Sequence, residues 1–297
     1  MRIVLFLLTL LLLPSATWAG DLTLDAASGH IVAVEVNGHP LRLRVDPGSS
    51  GYIILNPAAA RASGLKGSLF GSRTSIGPVT LDGKSNRVTL TVGASRTRQR
   101  AVWVERDVIR DADGIISPAA LPFDNVTLEW STRSAGEPAV VLPMRYDHGR
   151  GLFFPYNAGG ETIIVRLSTV QPLSMATASA AALIAAAHGG GWSGEPRREH
   201  IRFGVERPVR PMVLSRPVDL SGFAVGRFLV RTSDNRGGYR LPTDAPADPD
   251  EIVVTAKAKD KQPTNLHLTL GMDRLGACGS ITYRKASQSL VMRCGHW

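Results

Sequence analysis

One carboxylate occupies a position suited to acid–base chemistry: Asp46, in the segment Leu41-Arg-Leu-Arg-Val-Asp-Pro-Gly-Ser-Ser50. The alternation of apolar and polar residues predicts a strand, and Pro-Gly-Ser-Ser predicts a tight turn directly after it. A turn at the end of a strand holds a side chain in one orientation, as a general acid or base requires. The alternative is an aspartate that only stabilises its own turn, and the turn residues alone leave both interpretations open.

The elements that would position Asp46 occur twice along the chain. Each half contains a strand, a turn, a short Ala-rich helix and a closing apolar segment, in that order. Two copies of one unit predict two lobes related by a pseudo-twofold axis. The helices are predicted at 56–63 and 176–187, and the closing segments are Asp113-Gly-Ile-Ile-Ser-Pro118 and Leu268-Thr-Leu-Gly-Met-Asp-Arg-Leu275.

Most of the remaining pattern indicates short strands. Residues 31–38 alternate in polarity and end in Asn-Gly, which is typical of a hairpin turn. Many short strands separated by Gly and Pro turns, with only a few short helices, predict an all-β fold. Further strands are predicted at 41–45, 79–81, 87–92, 101–105, 163–167, 225–230 and 267–270.

Taken in order, these segments resemble the exported bacterial aspartyl proteases of the retropepsin-like or pepsin-like family. Asp46-Pro-Gly-Ser-Ser50 is similar to the Asp-Thr-Gly-Ser-Ser signature, and Leu270-Gly-Met-Asp-Arg-Leu275 to the Leu-Gly-Met-Asp-Phe-Leu element that ends such domains. Asp113-Gly-Ile-Ile-Ser117 resembles the apolar-apolar-Gly element that closes a lobe, with Ser117 in place of Gly. The resemblance covers residues 23–294 and implies a two-lobed acid-protease fold.

The resemblance also implies roles for the residues of the first turn. Asp46 corresponds to a catalytic aspartate, and Gly48, Ser49 and Ser50 to residues that support the loop and bind substrate. Pro47 departs from the usual Thr. It lacks the hydroxyl and the N–H that brace the two active-site loops in the family.

The second half lacks a matching acid. Two carboxylates that share one proton divide into acid and base, and a single aspartate has no such partner. No Asp or Glu lies between Glu161 and Glu195, so the absence does not depend on the alignment chosen. Matching the Pro-Leu pairs at 40–41 and 172–173 predicts a degenerate second-lobe loop made of Ala178, Ser179 and Ala180. We expect Asp46 to face residues 173–181, which include this loop, with its pKa raised by burial.

Two functions therefore remain open. One is an aspartic endopeptidase-like enzyme that acts through Asp46, with the second carboxylate supplied by another chain or by a displaced residue. The other is a catalytically inactive peptide- or protein-binding module of the same fold. In both, the partner is a peptide or an unfolded polypeptide segment, added as a strand beside a hairpin flap, and no cofactor is expected.

The two cysteines, Cys278 and Cys294, lie near the C-terminus. Pairing Tyr283 with Gln288 in a hairpin sets Cys278 opposite Cys294 or its neighbour, which predicts a disulfide. The seven His residues are scattered and show no zinc-ligand spacing, so no metal site is expected.

The N-terminus predicts export. Met1-Arg2 is followed by an apolar run at 3–13 and by Thr17-Trp-Ala19, a pattern typical of a signal peptide cleaved after Ala19. We expect a periplasmic or secreted protein. The predicted organisation is a signal peptide (1–19), an N-terminal lobe (20–132), an inter-lobe connection (133–160) and a C-terminal lobe (161–297) with an exposed insertion near 244–262.

The formal charge of +9 gives a basic surface. No nucleic-acid-binding module or aromatic stacking platform is visible, so nucleic acid is not an expected partner. The basic runs at 96–100 and 197–202 are expected to lie on solvated strand faces, and weak contact with an anionic envelope surface is the alternative interpretation. Within the predicted insertion, Glu251-Ile-Val-Val-Thr-Ala256 resembles a short segment near the start of the plug of outer-membrane receptors, and an exposed insertion or a partner-binding strand is expected there.

Overall fold

The computed structural model describes residues 20–69, 71–130, 139–234, 239–242 and 265–295. The predicted signal peptide (1–19) and the predicted insertion (244–262) lie outside these residues. Within the described ranges, no helix is long and apolar enough to cross a membrane.

The described chain is mostly β-structure, which confirms the predicted all-β class. Three short helices interrupt the strands: α1 (Pro57–Ala62), α2 (Ala178–His188) and α3 (Met272–Leu275), with one 3-10 turn at Pro118–Ala120. The strands are β1 (Asp21–Asp25), β2 (Ile31–Val36), β3 (His39–Val45), β4 (Ile53–Leu55), β5 (Ser72–Ile76), β6 (Val79–Val92), β7 (Ser95–Trp103), β8 (Gly114–Ile116), β9 (Asn125–Glu129), β10 (Ala139–Pro143), β11 (Arg145–Asp147), β12 (Gly151–Ala158), β13 (Glu161–Leu167), β14 (Met175–Thr177), β15 (Gly190–Trp192), β16 (Arg197–Arg202), β17 (Val205–Leu220), β18 (Phe223–Arg231), β19 (His267–Leu270), β20 (Cys278–Arg284) and β21 (Ser289–Cys294).

The first half of the chain forms a sheet in the order β2-β3-β8-β4-β7-β6-β5. Strands β2 and β6 also pair with each other, so this sheet curls back on itself around a core. In β3 the apolar residues Leu41, Leu43 and Val45 alternate with polar ones and are buried, because successive side chains of a strand point to opposite faces. The burial of these side chains therefore fixes the position of β3, the strand that leads to Asp46.

The second half repeats the pairing pattern of the first. Strand β3 runs parallel to β8, and β8 runs antiparallel to β4, which leads into α1. In the same way β13 runs parallel to β19, and β19 runs antiparallel to β14, which leads into α2. The order of elements that the sequence repeats is therefore also repeated in the way the strands pair. The second sheet follows the order β11-β12-β13-β19-β14-β18-β17-β15, with β16 paired to β17.

A third sheet joins the two ends of the chain, in the order β1-β9-β20-β21-β10. Cys278 and Cys294 form a disulfide across β20 and β21, as predicted. The predicted hairpin register is wrong, because Tyr283 pairs with Leu290 and not with Gln288. An irregularity after Cys278 shifts the register and brings the two cysteines back opposite each other.

The stretch predicted as an inter-lobe connection, 133–160, contains strands from residue 139 onward. Strand β10 belongs to the third sheet, and β12 pairs with β13 in the second sheet. The physical reason is burial: Leu142, Leu152 and Phe154 are apolar and lie in the core of the second half. Strand β12 therefore belongs to the second sheet, and it begins at residue 151, before the predicted start of the C-terminal lobe at 161.

Candidate functional site

The Asp46 turn has the predicted form. The Asp46 N–H donates to the carbonyl oxygen of Ile116 at 3.0 Å, which continues the pairing of β3 with β8 into the turn. The Ser49 N–H donates to the carbonyl oxygen of Asp46 at 3.0 Å and closes the turn. The Asp46 side chain is only 4% exposed, so its carboxylate depends on protein donors instead of water.

The Gly48 N–H of the same turn is one of these donors, and the others come from the second half of the chain. The Thr169 N–H donates to Asp46 Oδ1 at 2.8 Å, and the Ser168 hydroxyl donates to Oδ2 at 3.3 Å. The Thr169 hydroxyl lies 3.4 Å from Oδ1 and donates to the Val45 carbonyl oxygen at 3.0 Å. The turn after β13 is therefore tied directly to the turn after β3.

Ser168 occupies the position in the second half that Asp46 occupies in the first. Strand β3 ends at Val45, which pairs with Ile116, and β13 ends at Leu167, which pairs with Leu270. The next N–H continues each ladder: Asp46 donates to Ile116, and Ser168 donates to the Leu270 carbonyl oxygen at 2.9 Å. A hydroxyl thus stands where a doubled acid site would place its second carboxylate.

The predicted degenerate loop is wrong. Ala178, Ser179 and Ala180 form the start of α2 and are buried, and Asp46 faces Ser168 and Thr169 instead of residues 173–181. The Pro-Leu pairs used for the alignment are not equivalent positions. Matching the ends of the two predicted strands, 41–45 and 163–167, places Ser168 opposite Asp46 and would have identified the site from the sequence.

The remaining residues of the first turn pack and brace it. A Cβ at Gly48 would lie 2.8 Å from the Leu167 carbonyl oxygen, so only glycine permits the two turns to approach this closely. The buried Ser49 hydroxyl has no hydrogen-bond partner within the described part of the chain. Among the described residues, no hydrogen bond joins the Ser49 or Ser50 side chain to the Asp46 carboxylate. Both serines lie in the turn, but they do not hold the acid.

Burial raises the pKa of the Asp46 carboxyl above its ordinary 3.8, because it penalises the charged form. The Thr169 N–H, the positive charge of Arg202, the Ser168 hydroxyl and the Gly48 N–H act in the opposite direction and lower this pKa in part. The site is therefore a single, hydrogen-bonded carboxylate in a poorly solvated position.

Asp46 lies in the wall of a cavity of about 1060 Å³ that both halves of the chain line. Two hairpins contribute to it, β5–β6 from the first half and β16–β17 from the second. Near their tips, Ile76 packs in one apolar cluster with Phe203 and Val205. The two hairpins therefore touch each other beside the cavity.

The lining of this cavity is predominantly basic. Its acidic residues are Asp46, Asp107 and Glu199. The arginines of the lining are Arg44, Arg106, Arg110, Arg166, Arg202 and Arg231. Two of them are neutralised, since Arg44 forms an ion pair with Asp111 and Arg231 with Asp234. The residues that the structure describes contain no group of three or more His, Cys, Asp and Glu side chains placed to hold a metal ion.

Comparison with known proteins gives limited information. No family model matches the chain, and no curated protein matches it. One solved structure with local similarity is the EIAV protease complexed with the inhibitor HBY-793, at 21% sequence identity. The match covers 29% of this chain and 79% of that chain, with a TM-score of 0.24.

Proposed function

We propose that this chain is an exported, two-lobed protein of the acid-protease type that binds an extended polypeptide segment and does not hydrolyse it. The resemblance of Asp46-Pro-Gly-Ser-Ser50 and Leu270-Gly-Met-Asp-Arg-Leu275 to protease motifs supports the family. The repeated order of strand pairing around Asp46 and Ser168 supports the two-lobed arrangement.

The observation that carries the proposal is the hydroxyl of Ser168 at the counterpart of Asp46. Hydrolysis by this type of site requires two adjacent carboxylates, one protonated and one ionised, acting together on water and substrate. Ser168 cannot ionise in the working range, and its hydroxyl only donates a hydrogen bond to Asp46. The pair can hold a peptide group by hydrogen bonds, but it cannot exchange the roles of acid and base.

The position of the cavity is the reason for proposing an extended polypeptide as the ligand. It lies between both halves and beside two antiparallel hairpins, a setting in which an extended chain can add as a strand. Asp46, at the base of this space, offers an acceptor for a ligand N–H.

The test combines a cleavage assay with a binding assay on the purified chain. An unfolded protein substrate is incubated from acidic to neutral pH with wild type, with Asp46→Asn and with Asp21→Asn, an exposed control on β1 that does not line the cavity. We expect no cleavage by any of the three, and saturable binding of extended peptides measured by fluorescence anisotropy. Cleavage by wild type that Asp46→Asn abolishes and Asp21→Asn retains would overturn the proposal. So would the absence of binding to any peptide.

A further inference from the structure

Two arginines stand at equivalent positions in the two halves, and their surroundings differ. Arg44 lies two residues before Asp46 on β3, and Arg166 lies two residues before Ser168 on β13. Arg44 forms an ion pair with Asp111. Arg166 forms no ion pair with any described residue, whereas the Nε of both arginines is buried without a hydrogen-bond partner among the described residues. The first half therefore neutralises this arginine, and the second half leaves its charge facing the cavity.

His267 adds a second unsatisfied group on the same wall. It begins β19, which runs beside β13 with His267 paired to Ile164, and its buried Nδ1 meets no hydrogen-bond partner among the residues that the structure describes. Burial and the nearby charges of Arg166, Arg231 and Arg150 lower the pKa of His267 to about 3. The ring is therefore neutral at physiological pH and can donate one hydrogen bond to an acceptor in the cavity.

Positive charge is concentrated at this place. Burial, together with Arg202 and Arg150, lowers the pKa of Arg166 to about 10. Arg202 comes from the end of β16, the hairpin strand of the second half, and also lines the cavity. Asp46 is the acid that offsets these charges, and its carboxylate is already hydrogen-bonded by Ser168 and Thr169. Buried cations without a partner are costly, and a bound anion removes that cost.

We propose that Arg166, Arg202 and His267 form a subsite that binds the carboxylate of an acidic side chain in the polypeptide ligand. This inference rests on the proposed function and adds the class of ligand to it. The planar guanidinium of Arg166 presents parallel N–H donors that match the two oxygens of a carboxylate. A peptide that places Glu in this subsite is preferred over one that places Gln or Lys there.

The experiment compares three extended peptides that differ at one central residue, Glu, Gln or Lys. Their dissociation constants are measured by fluorescence anisotropy at pH 7 and low salt. We expect the Glu peptide to bind at least about tenfold more tightly than the Gln peptide, because a charged hydrogen bond is stronger than a neutral one. The Lys peptide should bind least, and added salt should reduce the difference.

Variants of the cavity arginines show which residues cause the preference for Glu. Arg166→Gln should remove the preference for Glu over Gln, and Arg166→Lys should restore part of it, because Lys keeps the charge but loses the planar pair of donors. Arg98→Gln is the matched control, since it removes one positive charge from an exposed residue of β7 that does not line the cavity. It should leave the preference unchanged. Circular dichroism confirms that each variant is folded, and Arg202→Gln provides a second removal of charge from the subsite.

The outcomes separate this inference from the proposed function. Equal binding of the Glu and Gln peptides would overturn the inference and leave peptide binding intact. A preference for Glu that survives both Arg166→Gln and Arg202→Gln would also overturn it, because the preference would then arise elsewhere. Failure to bind any of the three peptides would overturn the proposed function and the inference together.

Discussion

At the scale of single residues, one buried carboxylate determines the character of the site. Asp46 is hydrogen-bonded by donors from the second half, yet its burial still penalises the charged form and raises its pKa. The protonated form is therefore favoured more in the folded chain than in the unfolded chain. Protonation of Asp46 and stability must be linked.

The linkage predicts the effect of Asp46→Asn on the pH dependence of stability. Above pH 3.8, the ordinary value, the unfolded chain releases the Asp46 proton while the folded chain retains it. The wild-type free energy of unfolding should therefore fall relative to that of Asp46→Asn as pH rises from 3.8 to the raised pKa. Urea unfolding of both proteins at a series of pH values measures this difference. A difference that does not change with pH would contradict the raised pKa.

The sequence predicted one half of this residue pair and missed the other. Asp46 is recognisable because a carboxylate, a proline and a glycine follow an alternating strand. Ser168 and Thr169 lack both the acid and the glycine of that signature, so matching by residue type passed over them. Only the strand end at Leu167 marks their position, and the contact with Asp46 depends on pairing between β13 and β19, far apart in sequence.

At the scale of elements, the two hairpins beside the cavity depend on a close contact at one tip. Gly77, between β5 and β6, has φ +61, and a Cβ there would lie 2.6 Å from Asp234 Oδ1. Asp234 is buried and forms an ion pair with Arg231, so it cannot move away freely. The tip of the first hairpin is therefore fitted against the second half of the chain.

This contact predicts different effects for two glycine substitutions. Gly77→Ala and Gly93→Ala both place alanine at positive φ, but a Cβ at Gly93 meets nothing within 4 Å. The backbone conformation alone should cost each variant about 1 kcal/mol of unfolding free energy. Gly77→Ala should cost roughly 1 kcal/mol more, because Asp234 must shift. Urea unfolding of the two variants measures the difference, and equal losses would show that the tip does not need this contact.

The elements themselves were largely readable from the sequence. The helices predicted at 56–63 and 176–187 correspond to α1 and α2 within about two residues, because Ala-rich runs between turn residues are distinctive. The segments 79–81 and 87–92, predicted as separate strands, are parts of the single long strand β6. Polar residues and Gly83 separate the two apolar segments, but pairing to both β5 and β7 keeps the strand continuous.

At the scale of the whole molecule, the third sheet connects the ends of the chain. Strand β20 pairs with β9 from the first half and with β21 from the C-terminal hairpin. The Thr127 and Thr282 hydroxyls lie 2.9 Å apart across β9 and β20. The order of this sheet could not be read from the sequence, since it joins segments more than 100 residues apart and local patterns carry no information about such pairings.

The disulfide Cys278–Cys294 stabilises this sheet through the unfolded state. It closes a loop of sequence separation 16, which lowers the entropy of the unfolded chain. The double substitution Cys278→Ala/Cys294→Ala should therefore lower the free energy of unfolding by about 3 kcal/mol. Urea unfolding under oxidising and reducing conditions measures this loss of unfolding free energy. A reducing agent should destabilise wild type by a similar amount and leave the double variant unchanged. Equal stability of the oxidised wild type and the double variant would show that β20 and β21 hold the third sheet together without the covalent link.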